Sequence, residues 1–311
     1  MNRDNRYWNL TGFVATAVIV LSIPLSLFLN RNAGNTQQTS AYFTGGKACI
    51  ECHQKEYRLW RGSDHDKAMS VASDSTVLGD FNNAEFTFNG KISKFYKRGG
   101  RFYVFTEGTG GLMKEYQVSH TFGVRPLQQY LIPFEKGKFQ CLPIAWNTTE
   151  KKWFQMAAMV YKPEDLDPAN WLYWTNQAQN WNSMCAECHS TNLQKNFDLK
   201  TKSYHTTWND INVNCEACHG PGSAHIEWAR LPELARPQEN NTGLLVKTSR
   251  IPSRRYVESC APCHARRSSL GPYDHTKSDF LSYAIPQLPV APYYFIDGQF
   301  LEEDYEYGSF T

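Results

Sequence analysis

Residues 213–225 read VNCEACHGPGSAH, and the pattern Cys215, Cys218, His219 inside them recurs three more times, as CIECH at 49–53, CAECH at 185–189 and CAPCH at 260–264. Two thiols at this spacing can add across the vinyl groups of a haem while the adjacent histidine gives an axial nitrogen to the iron, so the spacing marks covalent c-type haem attachment. The chain is therefore expected to carry four such haems. They would be tethered through Cys49 and Cys52, Cys185 and Cys188, Cys215 and Cys218, and Cys260 and Cys263, with proximal iron ligands His53, His189, His219 and His264. A zinc ribbon would use two CxxC pairs on one metal, which leaves the histidine behind all four pairs unexplained. A thioredoxin-like site needs one such motif beside a βαβ pattern, and a disulfide framework fails because eight of the nine cysteines are already used. The ninth, Cys141, lies in the apolar run QCLPIAW (140–146) and is expected to be a small buried thiol rather than a redox-active one.

The chain has 311 residues, 41% of them hydrophobic, with a formal net charge of +2, which allows one or two domains and gives no field for nucleic acid. Four haems would add about eight propionates, calling for arginine and lysine partners. Nine Trp, seventeen Tyr and eighteen Phe suit a protein whose core is shared between aromatic side chains and flat porphyrins.

Residues 10–29, LTGFVATAVIVLSIPLSLFL, carry no charge and follow Arg3 and Arg6. Twenty helical residues span roughly 30 Å, one bilayer core. This predicts an N-terminal transmembrane anchor, favoured over a cleaved signal peptide, with the haem-bearing part in the periplasm or on the extracytoplasmic face of the cytoplasmic membrane. Residues 31–40 read as a linker. The expected organisation is then an anchor and linker over 1–40, a first haem segment over 41–80, a β-rich insert over 81–160 and a three-haem segment over 161–311. In the insert FTFNGKISKFYKRGGRFYVFTEG (86–108) alternates apolar and polar residues around an RGG turn, and strand-like runs follow at YQVSH, QQYLIPF, KFQCLPIAW and KWFQMAAM, giving five to seven strands. The fold class expected is a multihaem cytochrome c of mainly short helices and loops around haems, with that insert and the transmembrane helix.

The stretches GKACIECHQKEYRLWRGSDHDKAM (46–69), TFGVRPLQQYLIPFEKGKFQCLPIAW (121–146), WNSMCAECHSTNL (181–193) and VNCEACHGPGSAHIEWA (213–229) resemble the bacterial family of membrane-anchored multihaem cytochromes c. That family is related to the tetrahaem cytochrome of ammonia oxidisers and, more distantly, to octahaem hydroxylamine oxidoreductase and pentahaem nitrite reductase. His65 and His225 sit in contexts that resemble the family's distal ligands.

Sixth ligands must come from His65, His225, or the weaker candidates His120, His205 and His275; Met69, Met113 and Met184 read as core. A loop of six or twelve residues leaving a proximal histidine stays on that side of its own porphyrin, so His65 and His225 should each serve a neighbouring haem. The expected exchange has His65 on the haem of His219 and His225 on that of His53, with at least one of the haems of His189 and His264 left without a distal histidine. Two functions follow: an electron carrier between a membrane-side donor and an extracytoplasmic redox partner, or an enzyme acting on a small nitrogen or sulfur species at a five-coordinate haem. The first is favoured. The lysine-ligated CxxCK motif of the pentahaem reductases does not occur.

Overall fold

The computed structural model describes residues 40–156, 166–237, 242–271, 273–276, 279–288 and 296, and a compact unit runs from Tyr42 onward. Its regular structure starts with a one-turn helix at Lys47–Ile50 and a second at Gln54–Trp60, which flank the first haem motif. Ten strands follow: β1 Met69–Val71, β2 Asn82–Phe88, β3 Lys91–Arg98, β4 Arg101–Glu107, β5 Met113–Val118, β6 His120–Phe122, β7 Leu127–Pro133, β8 Phe139–Cys141, β9 Ile144–Asn147 and β10 Lys152–Gln155. Strands β2 to β5 form an antiparallel meander, while β1, β6, β7, β9 and β10 form a second sheet with β8 paired to β7.

The meander is built by its turns. Asn89 and Gly90 join β2 to β3 with φ of 47° and 74°, and Gly99 and Gly100 join β3 to β4 with φ of 59° and 75°. Two consecutive positive φ values are what a two-residue type I′ hairpin requires, and glycine and asparagine reach them at least cost. Alternation then sorts the side chains. Phe95, Phe102 and Val104 face inward and meet Phe81, Tyr130, Ile132, Trp146 and Trp153 from the second sheet and its approaches. Phe95 stacks on Trp153 with ring centroids 3.7 Å apart and planes 10° apart. Tyr173 and Trp174 close this aromatic core from the following segment, Trp174 donating its indole N–H to the Glu107 carbonyl at 2.8 Å.

Strand β7 has both faces buried. Tyr130 and Ile132 point into the aromatic core, while Leu131 points the other way into a cluster of Met69, Phe122, Cys141, Trp181 and Ala186. Cys141 lies opposite Leu131 in the β7–β8 register and is buried, as its apolar run implies, with its thiol pushed up by the Cys185 thiol and then by burial. The second haem motif is thus fastened directly onto the sheet. Phe139 N–H donates to Asn182 Oδ1 at 2.7 Å, and the buried Gln140 side chain donates to the carbonyls of Trp174 and Asn176 and accepts from Asn180. The expected limit at 160–161 is therefore crossed by a satisfied buried polar network, which ties the sheet to residues 174–182.

The structure corrects two expectations. The described residues are β-rich, with more strand than helix, so the fold is not one of mainly short helices and loops around haems. The physical reason is that each motif needs only about a turn of helix to present Cys, Cys and His, while hairpins order the rest; the longest described helix is Ser253–His264, twelve residues. A transmembrane helix is also absent from the described residues, none of whose helices is long and apolar enough to cross a membrane; the expected anchor at 10–29 lies outside them. Met69 and Met184 are buried as expected of core residues, but Met113 is exposed on β5.

Candidate haem-attachment sites

The motifs sit on or beside short helical segments: Cys49 in Lys47–Ile50 with Cys52 and His53 in the turn that follows, Ala186–His189 for the second, Cys215–His219 for the third and the end of Ser253–His264 for the fourth. A helical turn puts the two thiols and the histidine on adjacent faces, the arrangement a single porphyrin needs.

The histidines then fall into relationships that sequence spacing alone left open. His53 and His225 have ring centroids 6.0 Å apart, and so do His65 and His264. A metal–imidazole bond is about 2 Å, and the ring centre lies roughly 1 Å beyond the nitrogen, so two imidazoles on opposite sides of one metal have centroids about 6 Å apart. The residues present therefore fit an iron between each pair. His225 Nδ1–H donates to the Thr242 carbonyl at 2.7 Å, which fixes the tautomer and leaves Nε2 as the free lone pair. Gly243 allows this closure, because at its φ of 80° a Cβ would stand 2.8 Å from the Ala224 carbonyl oxygen.

His65 was expected against His219 and is found against His264. Its backbone does approach the third motif, since its carbonyl accepts from Val213 N–H at 3.3 Å and Trp60 Nε1 donates to the Val213 carbonyl at 2.9 Å. The Asp66 carboxylate, held by Gly62 N–H at 2.8 Å, and the Asn212 amide, 2.8 Å from the Asp66 carbonyl, fasten this turn against 212–213, and the ring is presented to the fourth motif instead.

The other two proximal candidates also use Nδ1 on backbone carbonyls, His189 on Ala68 at 3.3 Å and His219 on Val246 at 2.9 Å. Burial pushes the His189 pKa down, the Ala68 bond opposing it, which favours the neutral imidazole that ligates metal. The ring packed on His189 is that of Phe122, edge-on at 5.5 Å. Among the described residues no second histidine ring packs on it. His275 lies against the third motif, with Nε2 donating to the Ala217 carbonyl at 2.9 Å and its Cβ 3.2 Å from where a side chain on Gly220 would begin. His120 stands between Phe139 and Trp208 beside the second motif's apolar cluster, and burial lowers its pKa. His205 is exposed and meets Ser203 at 3.3 Å.

The cysteines show how the motifs neighbour one another. The Cys49 and Cys215 thiols share a hydrogen bond, which pulls Cys215 down to about 7 and pushes Cys49 up. Cys188 bonds Cys263 and is pushed up by that bond and by burial. Cys218, pushed up to about 11 mainly by burial, also feels Cys263 and Cys260. Cys141 stands 3.9 Å from Cys185. The first motif thus adjoins the third, the third the fourth, and the fourth the second. Buried Arg266 and Arg267 follow the fourth motif directly, Arg267 gripping the Pro262 carbonyl at 2.8 Å. Sequence reading missed Gly243 and the carbonyls of Ala68, Thr242 and Val246. The Thr-Gly pair in NNTGLL was the available signal for the first; the carbonyls carry none.

The family described as cytochrome c554 and c-prime matches residues 48–87 and 145–220. Among curated proteins no sequence matches. Among solved structures the chain is similar to the outer cell wall cytochrome OcwA, at 17% identity and a TM-score of 0.50, over 79% of this chain and 45% of that one. It also matches the undecahaem cytochrome from the S-layer of Carboxydothermus ferrireducens, at 18% identity and a TM-score of 0.35, over 60% of this chain and 22% of that one. The chain thus spans less than half the length of either. The family match supports a multihaem cytochrome c with covalently bound haem, and the likeness to OcwA is one of fold. The expected link to the cytochromes of ammonia oxidisers and to hydroxylamine oxidoreductase does not emerge from them. The expected location, anchored at the cytoplasmic membrane, is likewise cut back: no described helix is long and apolar enough to span a bilayer, residues 10–29 lie outside the described ones, and the structure that is similar in fold is that of an outer cell wall cytochrome.

Proposed function

We propose that the chain is a tetrahaem electron carrier that passes electrons between redox partner proteins, with its terminal acceptor outside the cell. The observation that carries this reading is the contiguity of the four motifs, in the order first, third, fourth, second, through Cys49 with Cys215, Cys218 with Cys263, and Cys263 with Cys188. Porphyrins tethered at neighbouring thiols have edges close enough for rapid electron exchange, and paired histidines at His53 with His225 and His65 with His264 close both axial positions to small molecules. The similar fold of OcwA, an outer cell wall cytochrome, supports an acceptor outside the cell. Intact mass and the pyridine haemochrome spectrum should give four haems per chain, and voltammetry of the adsorbed holoprotein should integrate to four electrons. Fewer haems, or a wave confined to one of them, would overturn the reading.

A second reading rests on Phe122. If the ring facing the second site is phenylalanine, a haem held by Cys185, Cys188 and His189 keeps an open sixth position where a small nitrogen or sulfur species could be reduced or oxidised. Carbon monoxide added to the reduced protein should then bind at the second haem, and that binding should vanish in a Cys185→Ala, Cys188→Ala variant. No carbon monoxide complex would end the enzymatic alternative at this haem.

A further inference from the structure

Three of the four haem motifs carry an acidic residue between their cysteines, Glu51, Glu187 and Glu216. Two of these side chains reach solvent: Glu51 is exposed, and Glu187 keeps 26% of its side chain accessible and lies 3.8 Å from Lys195. Glu216 is different, with 1% exposure. Its carboxylate accepts from Thr44 N–H at 2.9 Å and 3.1 Å, Thr44 Oγ1 at 3.2 Å, Gly45 N–H at 2.7 Å and Gly222 N–H at 2.7 Å. Three backbone donors and one hydroxyl converge on two oxygens, an acceptor-only setting that suits the ionised acid, because the proton of a neutral carboxyl would point at other donors. All four donor groups are neutral. They hold the charge without cancelling it, as a lysine or arginine would.

We propose that Glu216 is the fixed buried charge that lowers the reduction potential of the haem tethered at Cys215 and Cys218 and ligated by His219. This rests on the reading of the third motif as a haem site. Glu216 follows Cys215 directly and lies on the same helical turn as both attachment thiols and the axial histidine. Reduction places an extra electron on the iron. A negative charge held beside it, shielded from water, opposes that electron, and net charge and burial are the terms that set such potentials. In the same contacts Glu216 acts as a positioning residue, clasping the 44–45 loop and Gly222 to the motif. Glycine at 222 favours this, since a Cβ there would press on Glu216 Oε1 at 3.1 Å.

The test is a spectroelectrochemical titration of the four-haem protein. In Glu216→Gln one of the four midpoints should move positive while the other three stay, and Glu51→Gln and Glu187→Gln should leave all four unchanged. Glu216→Asp, which keeps the charge and shortens the side chain, should restore the low midpoint. A structural role alone would shift the Asp and Gln variants alike, and that result, or an unmoved set of midpoints in Glu216→Gln, would overturn the proposal. If Glu216→Gln fails to retain its third haem, Glu216→Asp decides: a midpoint at the wild-type value supports the charge, and a raised one refutes it. The wild-type redox-difference infrared spectrum gives an independent reading that loading failure cannot affect. A carboxylate band perturbed by reduction, distinct from those of the haem propionates and shifted in Glu216→Asp, is expected, and its absence counts against the proposal.

Discussion

His225→Ala is expected to leave one of the four proposed haems high-spin or ligated by water, and His65→Ala to do the same to a different haem. Each ring stands 6.0 Å from a proximal candidate, His225 from His53 and His65 from His264, so deletion removes the sixth ligand of one iron and touches no thioether bond. Covalent attachment keeps the haem in place, and the expected change is therefore in ligation and not in haem count. Optical spectra should show the loss of one haem's share of the low-spin intensity in each variant and of two haems' share in the double variant, additively because the two irons do not share a ligand. The opened haem should also move to a more positive potential and bind cyanide or carbon monoxide. His205→Ala is the matched control and should change nothing, since that ring is exposed and its hydrogen-bond partner is Ser203. A low-spin spectrum unchanged in both His65→Ala and His225→Ala would sink this assignment.

Trp153→Ala should cost about 3–5 kcal/mol of stability, as expected for deleting a buried tryptophan from a well-packed core. Trp153 is stacked on Phe95 and meets Phe81, Tyr130 and Trp146, so its loss opens a cavity bounded by rings from both sheets. This core contains none of the haem-tethering cysteines. Denaturation followed by far-ultraviolet circular dichroism should accordingly show the loss, while the haem count at low denaturant stays at the wild-type value. Because Gln140, Asn180 and Asn182 link the sheet to the second motif, the haem spectrum should follow the sheet when it finally unfolds. A loss under about 1 kcal/mol would contradict the role given to the aromatic core.

The candidate attachment residues stand out in the sequence because covalent haem chemistry calls for a five-residue pattern that chance does not repeat four times. The hairpins were legible in the same way, through alternation and the Gly99–Gly100 turn, and Asn89–Gly90 offered an equally direct turn signal. Nine strands occupy 82–155 where five to seven were expected. The reason is that β6, β8 and β9 are three or four residues long, too short for alternation to register, and β7 is buried on both faces and does not alternate. The partner of His65 was only half legible. Short loop length excludes its own porphyrin, but the choice between His219 and His264 depends on how Asn212 and Asp66 orient the turn, a contact across 146 residues that no local pattern encodes. Burial of Glu216 was equally hidden, since Glu51 and Glu187 occupy comparable sequence positions and face solvent.

The most direct measurement is a crystal structure of the haem-loaded protein with anomalous data at the iron edge. Four iron peaks are expected per chain, one between His53 and His225 and one between His65 and His264, with the iron of His189 facing Phe122. An iron of His53 or His264 whose sixth ligand is any other residue, or fewer than four peaks, would contradict the central claim.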